Sequence, residues 1–475
     1  MVRNYWSGRS GFFGRADAEH DALQVGWLEK LLVTTHPVES AIRGDALLVI
    51  GRKGSGKSAI RIAAQQRRAQ TGILSVSADE TVALHADKLR DPQIPPIANW
   101  LRMYAFLISR AVAERALKER GRSLTQLQEQ SLLTWAKDTQ FTENQIRRQI
   151  TEGLAAAGFQ PEQSRALHLY IDDFDNLYKA GTRTYTVDQI RSAIEAADRL
   201  TVVANSVRIT LCLREDLWLL CRPGWHYLDK LTNVIDLRWT DDELKEWARR
   251  RLIRAVVEGG NIAEEELLGL SFERLWGIFF PPVIELEDGK TSASFGYILR
   301  RTLYTPRDVH KFVTRIAEKT KRWPATQDEV TEAERLYSLD RLEYLVNEFG
   351  SLCDGLSTCL HSFTAKPMEW VAQALYKHLN ALIQSGDVRL VDAMGDKRSA
   401  FELARFLFRI GFLEVRYQQD DRFEVRDALR YPDHWQGLRR DDSLKWAVRS
   451  AFYRALESRR LKNTDPFGSN PERAK

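Results

Sequence analysis

The chain has 475 residues, 44% of them hydrophobic and 28% charged, with a formal net charge of +5. That length suits roughly two to four domains with a sizeable core, the composition excludes a disordered or fibrous chain, and the small positive excess does not argue for nucleic-acid binding. No apolar run reaches the ~18 residues of a membrane span, the start Met-Val-Arg-Asn-Tyr-Trp lacks a secretory core, and Cys212, Cys221, Cys353 and Cys359 form no C-x-x-C pair, so no zinc site and a reducing, cytoplasmic setting are expected.

Residues 1–45 precede the first core strand and hold Gly11-Phe12-Phe13-Gly14-Arg15-Ala16-Asp17-Ala18-Glu19 and a helix-like stretch from Leu23 to Leu32. This capping segment is placed against the nucleotide base or the sheet edge, or it is simply a packing helix. Leu47 to Ile50 then reads as a buried strand running into Gly51-Arg52-Lys53-Gly54-Ser55-Gly56-Lys57-Ser58-Ala59. This is the phosphate-binding pattern G-x-x-x-x-G-K-S between a strand and a helix over 57–69. Glycines let main-chain N–H groups turn inward around a phosphate chain, backed by a helix N-terminus. Lys57 is expected at the β- and γ-phosphates and the Ser58 hydroxyl on Mg²⁺.

Residues 73–76 read as a second strand and 97–118 as a long amphipathic helix carrying Trp100, Leu101, Tyr104, Leu107 and Ile108 at helical spacing. Residues 119–165 are polar and helical, with Ser123 and Thr142 as caps. Ala166 to Ile171 is a strand ending in Asp172-Asp173-Phe174-Asp175. Carboxylates at the C-terminal end of a strand in an α/β sheet lie where ligands bind. Asp172 is expected to hold Mg²⁺, directly or through water, and Asp173 to orient the attacking water. A helix over 187–205 leads to the strand Val207–Leu213, which ends in Arg214-Glu215-Asp216. Arg214 either senses the γ-phosphate or closes the strand against Asp216 or Glu215. Residues 234–239 read as a further short strand, and Thr240 with Glu243 as a capping box.

The character then turns helical: 241–257, 263–278, a loop at Pro281-Pro282 and Gly289, and a helix opened by Tyr304-Thr305-Pro306-Arg307-Asp308 and running to Lys319. A cation at a helix N-terminus is electrostatically misplaced. Arg307 therefore either reaches a bound triphosphate or pairs with Asp308. Helices follow at 336–350, 366–383 and 399–409. Residues 411–417 and 422–426 then alternate around Gln418-Gln419-Asp420-Asp421, a β-hairpin after a helix in the winged-helix layout. Arg405, Arg409, Arg416 and Arg422 are interrupted by Glu402, Glu414, Asp420 and Asp421, which breaks up a phosphate-binding face. A last helix is expected over 441–461.

The boundaries implied are a capping segment 1–45, an α/β P-loop core with a parallel sheet over 46–240, an α-helical lid over 241–330, a winged-helix-like domain over 331–463 and a disordered tail 464–475.

The ordered set Phe13-Gly14 with Asp17-Ala18-Glu19, Gly51 to Ile60, Ile171 to Asp175, Leu213 to Asp216 and Pro306-Arg307-Asp308 resembles the regulatory P-loop ATPases of the AAA+ and STAND superclass, in particular a bacterial family of defence-associated ATPases. The resemblance implies sensor residues at Arg214 and Arg307 and a slow, ATP- and Mg²⁺-dependent switch. Its partner would be another copy of the chain or an effector protein. It differs from fast ring ATPases in having Asp173 where a glutamate is common. It assigns no arginine finger, for which Arg222, Arg300 and Arg301 are candidates. The alternative is an ATP-dependent DNA-binding initiator or transposition-type regulator acting through the winged helix.

Overall fold

The computed structural model describes residues 10–14, 27–71, 74–78, 88–118, 120–138, 143–156, 167–172, 187–260, 262–286, 289–391, 399–419, 422–426, 429, 438 and 444–457. Asp173 to Asp175, Asp17-Ala18-Glu19, the Thr142 cap and the tail 464–475 lie outside these. The chain divides into two compact units, residues 15–238 and residues 1–14 with 239–475.

The first unit is built on a five-stranded sheet of β1 (Leu48–Gly51), β2 (Leu74–Ala78), β3 (Leu167–Ile171), β4 (Val207–Arg214) and β5 (Val234–Asp236), in the order β2-β3-β4-β1-β5. Every pairing is parallel, with Leu48 opposite Leu211 and Val234, and Leu167 opposite Leu74 and Val207. A parallel sheet is covered on both faces, so its strands read as unbroken apolar runs. β1 and β3 are buried throughout. Tyr170 on β3 is fully buried, and its hydroxyl donates to the carbonyls of Ala41 (2.6 Å) and Ile42 (3.2 Å), which offsets the cost of burying it. The helix Pro96–Lys118 packs on Val187–Val203, with Trp100, Tyr104, Leu107 and Ile108 buried as the spacing predicts, while Leu101 of the same set is only half-buried.

The helix Gln126–Asp138 is capped by Thr125 rather than Ser123. The Thr125 hydroxyl accepts from Gln128 N at 3.3 Å, and Gln128 Oε1 accepts from Thr125 N at 3.0 Å. Two hydroxyls two residues apart compete for one cap, and the one with an amide three residues on closes the reciprocal box.

In the second unit, Thr240 and Glu243 form the expected capping box for the helix Asp241–Gly260. The stretch 263–278 is two short helices, Glu264–Leu268 and Phe272–Trp276, because Ser271 caps a fresh start through Arg274 N. The predicted loop around Gly289 holds an antiparallel hairpin of β6 (Val283–Glu285) and β7 (Thr291–Ala293). Ser10–Phe13, far away in sequence, packs into this unit. The Phe12 ring stacks on Phe279 and meets Trp323 edge-on, each at 4.6 Å, and Arg251 donates to the Phe13 carbonyl at 2.9 Å.

The helix Gln327–Phe349 starts earlier than expected, behind a capping box of Thr326 and Glu329. β8 (Cys353–Asp354) pairs with β10 (Arg389–Leu390). The helix Ala400–Arg409 runs into the hairpin β11 (Leu413–Gln419) and β12 (Arg422–Arg426), as the alternation predicts. Two helix expectations are corrected here. Residues 369–371 form β9 ahead of the helix Ala372–Gln384, and 445–448 form β13, giving an antiparallel sheet β12-β11-β13-β9. Trp446 and Val448 lie opposite Val415 and Leu413, all buried. Cross-strand packing of aromatic and branched side chains outweighs the local helical reading.

Asp308 holds the second unit together. Its buried carboxylate accepts from Leu303 N (2.5 Å), the Tyr337 hydroxyl (2.5 Å) and Arg341 (2.7 Å). Asp308→Ala leaves the buried Arg341 uncompensated and is expected to lower stability by ~3–5 kcal/mol in a urea titration. A loss below ~1 kcal/mol would contradict this reading.

Candidate functional site

The site is built where β1 ends. Gly51 closes the strand, and a Cβ there would collide with Ser55 Oγ and lie 3.2 Å from Leu237 Cβ. Gly54 (φ 85°) and Gly56 (φ 104°) take backbone angles that side chains resist. The loop is thus folded tightly back over the strand tip before the helix Lys57–Thr71 begins. Lys57 Nζ donates to the carbonyls of Gly51 (2.9 Å) and Arg52 (3.2 Å), so the ammonium is held across the loop mouth. Ser55 is buried, Lys53 is exposed, and Arg52, Ser58 and Ala59 are half-buried. Helix-start amides, a glycine loop and one ammonium are thus gathered at the start of the helix Lys57–Thr71, groups of the kind that suit a phosphate chain.

Asp172 follows the last residue of β3 and is 4% exposed. Its Oδ2 accepts from Arg61 Nε at 3.3 Å. Arg61 sits one turn along the phosphate-loop helix, on the same face as Lys57. Sequence reading missed it; the i+4 spacing from Lys57 was the available signal. Asp173 lies outside the described residues. Among the described residues no group of three or more His, Cys, Asp or Glu side chains gathers as a metal cage. Ser58 and Asp172 carry the oxygen donors that a hard divalent ion prefers. The thiols are buried, and Cys221 is pushed up to about 12 by desolvation.

At the tip of β4, Arg214 makes a two-point ion pair with Asp216, Nε to Oδ1 at 3.0 Å and Nη2 to Oδ2 at 2.9 Å. Of the two arrangements open from the sequence, this is the one that closes the strand. Beside it, Glu215 accepts from Arg238 at 2.6 Å and lies 3.9 Å from Arg52. Arg238 also reaches Asp236 at 3.0 Å. These charges at the ends of β1, β4 and β5 tie the phosphate loop to its neighbouring strands, a network that sequence reading also missed.

Arg307 belongs to the other unit, at the N-terminus of the helix Pro306–Lys319. It does not pair with Asp308, whose carboxylate is taken by Tyr337 and Arg341. Burial lowers the pKa of Lys311, one turn on, with Arg341 and then Arg307 adding to that fall. Asp308 and Asp340 act against that fall. Of the arginine-finger candidates, Arg301 is paired with the buried Glu334 at 2.6 Å, Arg300 donates to Ser292 and Arg222 is half-buried.

The cations of the C-terminal helix and hairpin are largely engaged. Arg405 pairs with Glu402 at 2.9 Å, Arg416 pairs with Glu369 and Glu414, and Arg409 is buried.

The family described as the FunZ-associated C-terminal helical domain matches residues 242–346. No curated protein matches the chain. Among solved structures, the Aeropyrum pernix ORC2 protein in its ADPNP–ADP complexes is similar at TM-score 0.37 and 11% identity, covering 84% of this chain and 90% of that one. CDC6P from Pyrobaculum aerophilum is similar at TM-score 0.32 and 12% identity, covering 89% and 96%. The parallel strand order and the glycine loop make a P-loop α/β core, which a helical region and then a C-terminal domain follow.

Proposed function

We propose that the chain is a Mg²⁺-dependent ATP-binding and slowly ATP-hydrolysing switch of the AAA+/STAND type, driving self-assembly or partner binding in a bacterial defence-type system. The observation that carries the reading is the phosphate loop, with Lys57 bridging its own carbonyls at 2.9 and 3.2 Å at the start of a helix. A triphosphate would draw Lys57 from those carbonyls and take the helix-start amides. Ser58 and Asp172 would hold Mg²⁺, which when bound offsets charge between the β- and γ-phosphates. Asp173 would orient water in line with the γ-phosphate. Arg214, on leaving Asp216, would sense that phosphate from β4, and Arg307 would reach it from the helical lid. Asp173 in place of the longer glutamate suits a switch whose bound state lasts.

The hairpin β11–β12 after the helix Ala400–Arg409 is read as a winged helix that makes protein contacts. The pairing of Arg405 and Arg416 with carboxylates removes cations that duplex binding would need. Duplex DNA is therefore expected to show no gel shift at 0.15 M salt, with or without ATP; a shift that falls steeply with salt would replace this reading by the DNA-binding one. The direct test of the switch is mass photometry of the full chain with and without MgATP. A nucleotide-dependent change in mass supports it, and unchanged mass in the presence of bound ATP removes the assembly part.

A further inference from the structure

Asp172 is nearly inaccessible at 4% exposure, and its ion-pair partner Arg61 is 16% exposed on the phosphate-loop helix. A buried carboxylate without a counter-charge is costly, and Arg61 meets that cost at 3.3 Å. A magnesium ion needs close oxygen ligands at near-ideal octahedral geometry. A guanidinium already on the carboxylate and a divalent cation on the same group repel strongly in a site screened from water. Arg61 holds Oδ2, so a metal on the same carboxylate would compete with it for one negative charge, and each cation weakens the hold of the other. Arg61 is one turn past Lys57 on the same helix face, so on release its head stays near the phosphate end of the site.

Resting on the reading of residues 51–58 as a phosphate loop, we propose that Arg61 is a latch on the metal carboxylate. It neutralises Asp172 in the nucleotide-free protein and competes with magnesium for it. The magnesium requirement for ATP binding is therefore set by a residue of the chain that is not itself a metal ligand. The latch also keeps Asp172 from drawing in a stray divalent ion in the absence of nucleotide.

The test is equilibrium binding of a fluorescent ATP analogue to the full chain over a magnesium titration, with wild type, Arg61→Ala and Arg61→Gln. Both variants are expected to reach half-maximal binding at about tenfold less magnesium, the scale set by one lost charged hydrogen bond. Their affinity at saturating magnesium is expected to equal or exceed that of wild type. Thermal melts in EDTA supply a second readout. The variants are expected to melt earlier than wild type without metal, and added magnesium alone is expected to recover more stability in them than in wild type. Superimposable magnesium titrations in the three proteins overturn the latch. So does a uniform loss of ATP affinity at every magnesium concentration, which would make Arg61 a nucleotide contact. Absence of ATP binding by wild type at all magnesium concentrations overturns the phosphate-loop reading beneath it, a distinct result.

Discussion

Lys57→Ala is expected to abolish ATP binding. Titration calorimetry with magnesium present should show measurable heat for wild type and none for the variant, a loss of at least about a hundredfold in affinity for removal of a charge-assisted contact at a screened site. The arrangement of the loop explains the size of the effect. Lys57 Nζ spans the Gly51 and Arg52 carbonyls, so among the described residues its hydrogen-bond partners are main-chain oxygens of the loop itself. A triphosphate offers that ammonium a far greater charge, whereas an alanine at this position offers the triphosphate no cation at all. The loop should survive the change, because its shape is set by Gly51, Gly54 and Gly56 rather than by the lysine. An unchanged melting temperature without nucleotide should therefore accompany the lost binding. Equal ATP affinity in the two proteins would defeat the assignment of the site.

Asp173→Asn is expected to do the opposite: to keep ATP affinity within about threefold and to lose turnover by ~100-fold or more, the usual scale for removing a group that orients or deprotonates the attacking water. The amide matches the carboxylate in size and removes its charge, so binding through the loop and Asp172 is left in place. Phosphate release over hours, together with the binding titration, separates the two effects. A variant that hydrolyses ATP at the wild-type rate would move the water-orienting role to another residue. A variant that loses binding and turnover together would place Asp173 among the metal ligands instead of beside the water.

The parts of the fold legible in the sequence are those whose partners are local or whose pattern is dictated by burial on both faces. β1 is an apolar run, and β3 and β4 are mostly apolar and buried over most of their length, because a parallel sheet covered by helices leaves them little wet surface. The loop is legible because its glycines meet conformational demands at fixed spacing. The hairpin β11–β12 announces itself by alternation around a polar turn. What the sequence conceals depends on distant chain. β9 and β13 are short, and they become strands because each lies against a partner far off in sequence. Trp446 packs opposite Trp370 and Val415, neither of which is visible from the helix-like residues around it.

The same holds for charge. Arg61 and Asp172 are 111 residues apart, so their pairing has no local signature. Asp308 follows Arg307 directly, which suggests an ion pair, yet its carboxylate turns inward to Tyr337 and Arg341. That turn leaves Arg307 with no ion-pair partner among the described residues, a consequence that only the packing of Pro306–Lys319 against Gln327–Phe349 reveals. Arg214 illustrates the reverse case: Asp216, two residues on, claims it as local chemistry suggests.

The measurement that bears most directly on this account is a crystal structure of the full chain with magnesium and a non-hydrolysable ATP analogue. The expected density places the triphosphate against the main-chain amides of Gly54 to Ser58, with Lys57 moved from the Gly51 carbonyl onto phosphate oxygens and Asp172 turned from Arg61 toward the metal. Nucleotide bound elsewhere, or a saturated crystal in which the Lys57 and Arg61 contacts stay as they are here, would contradict it.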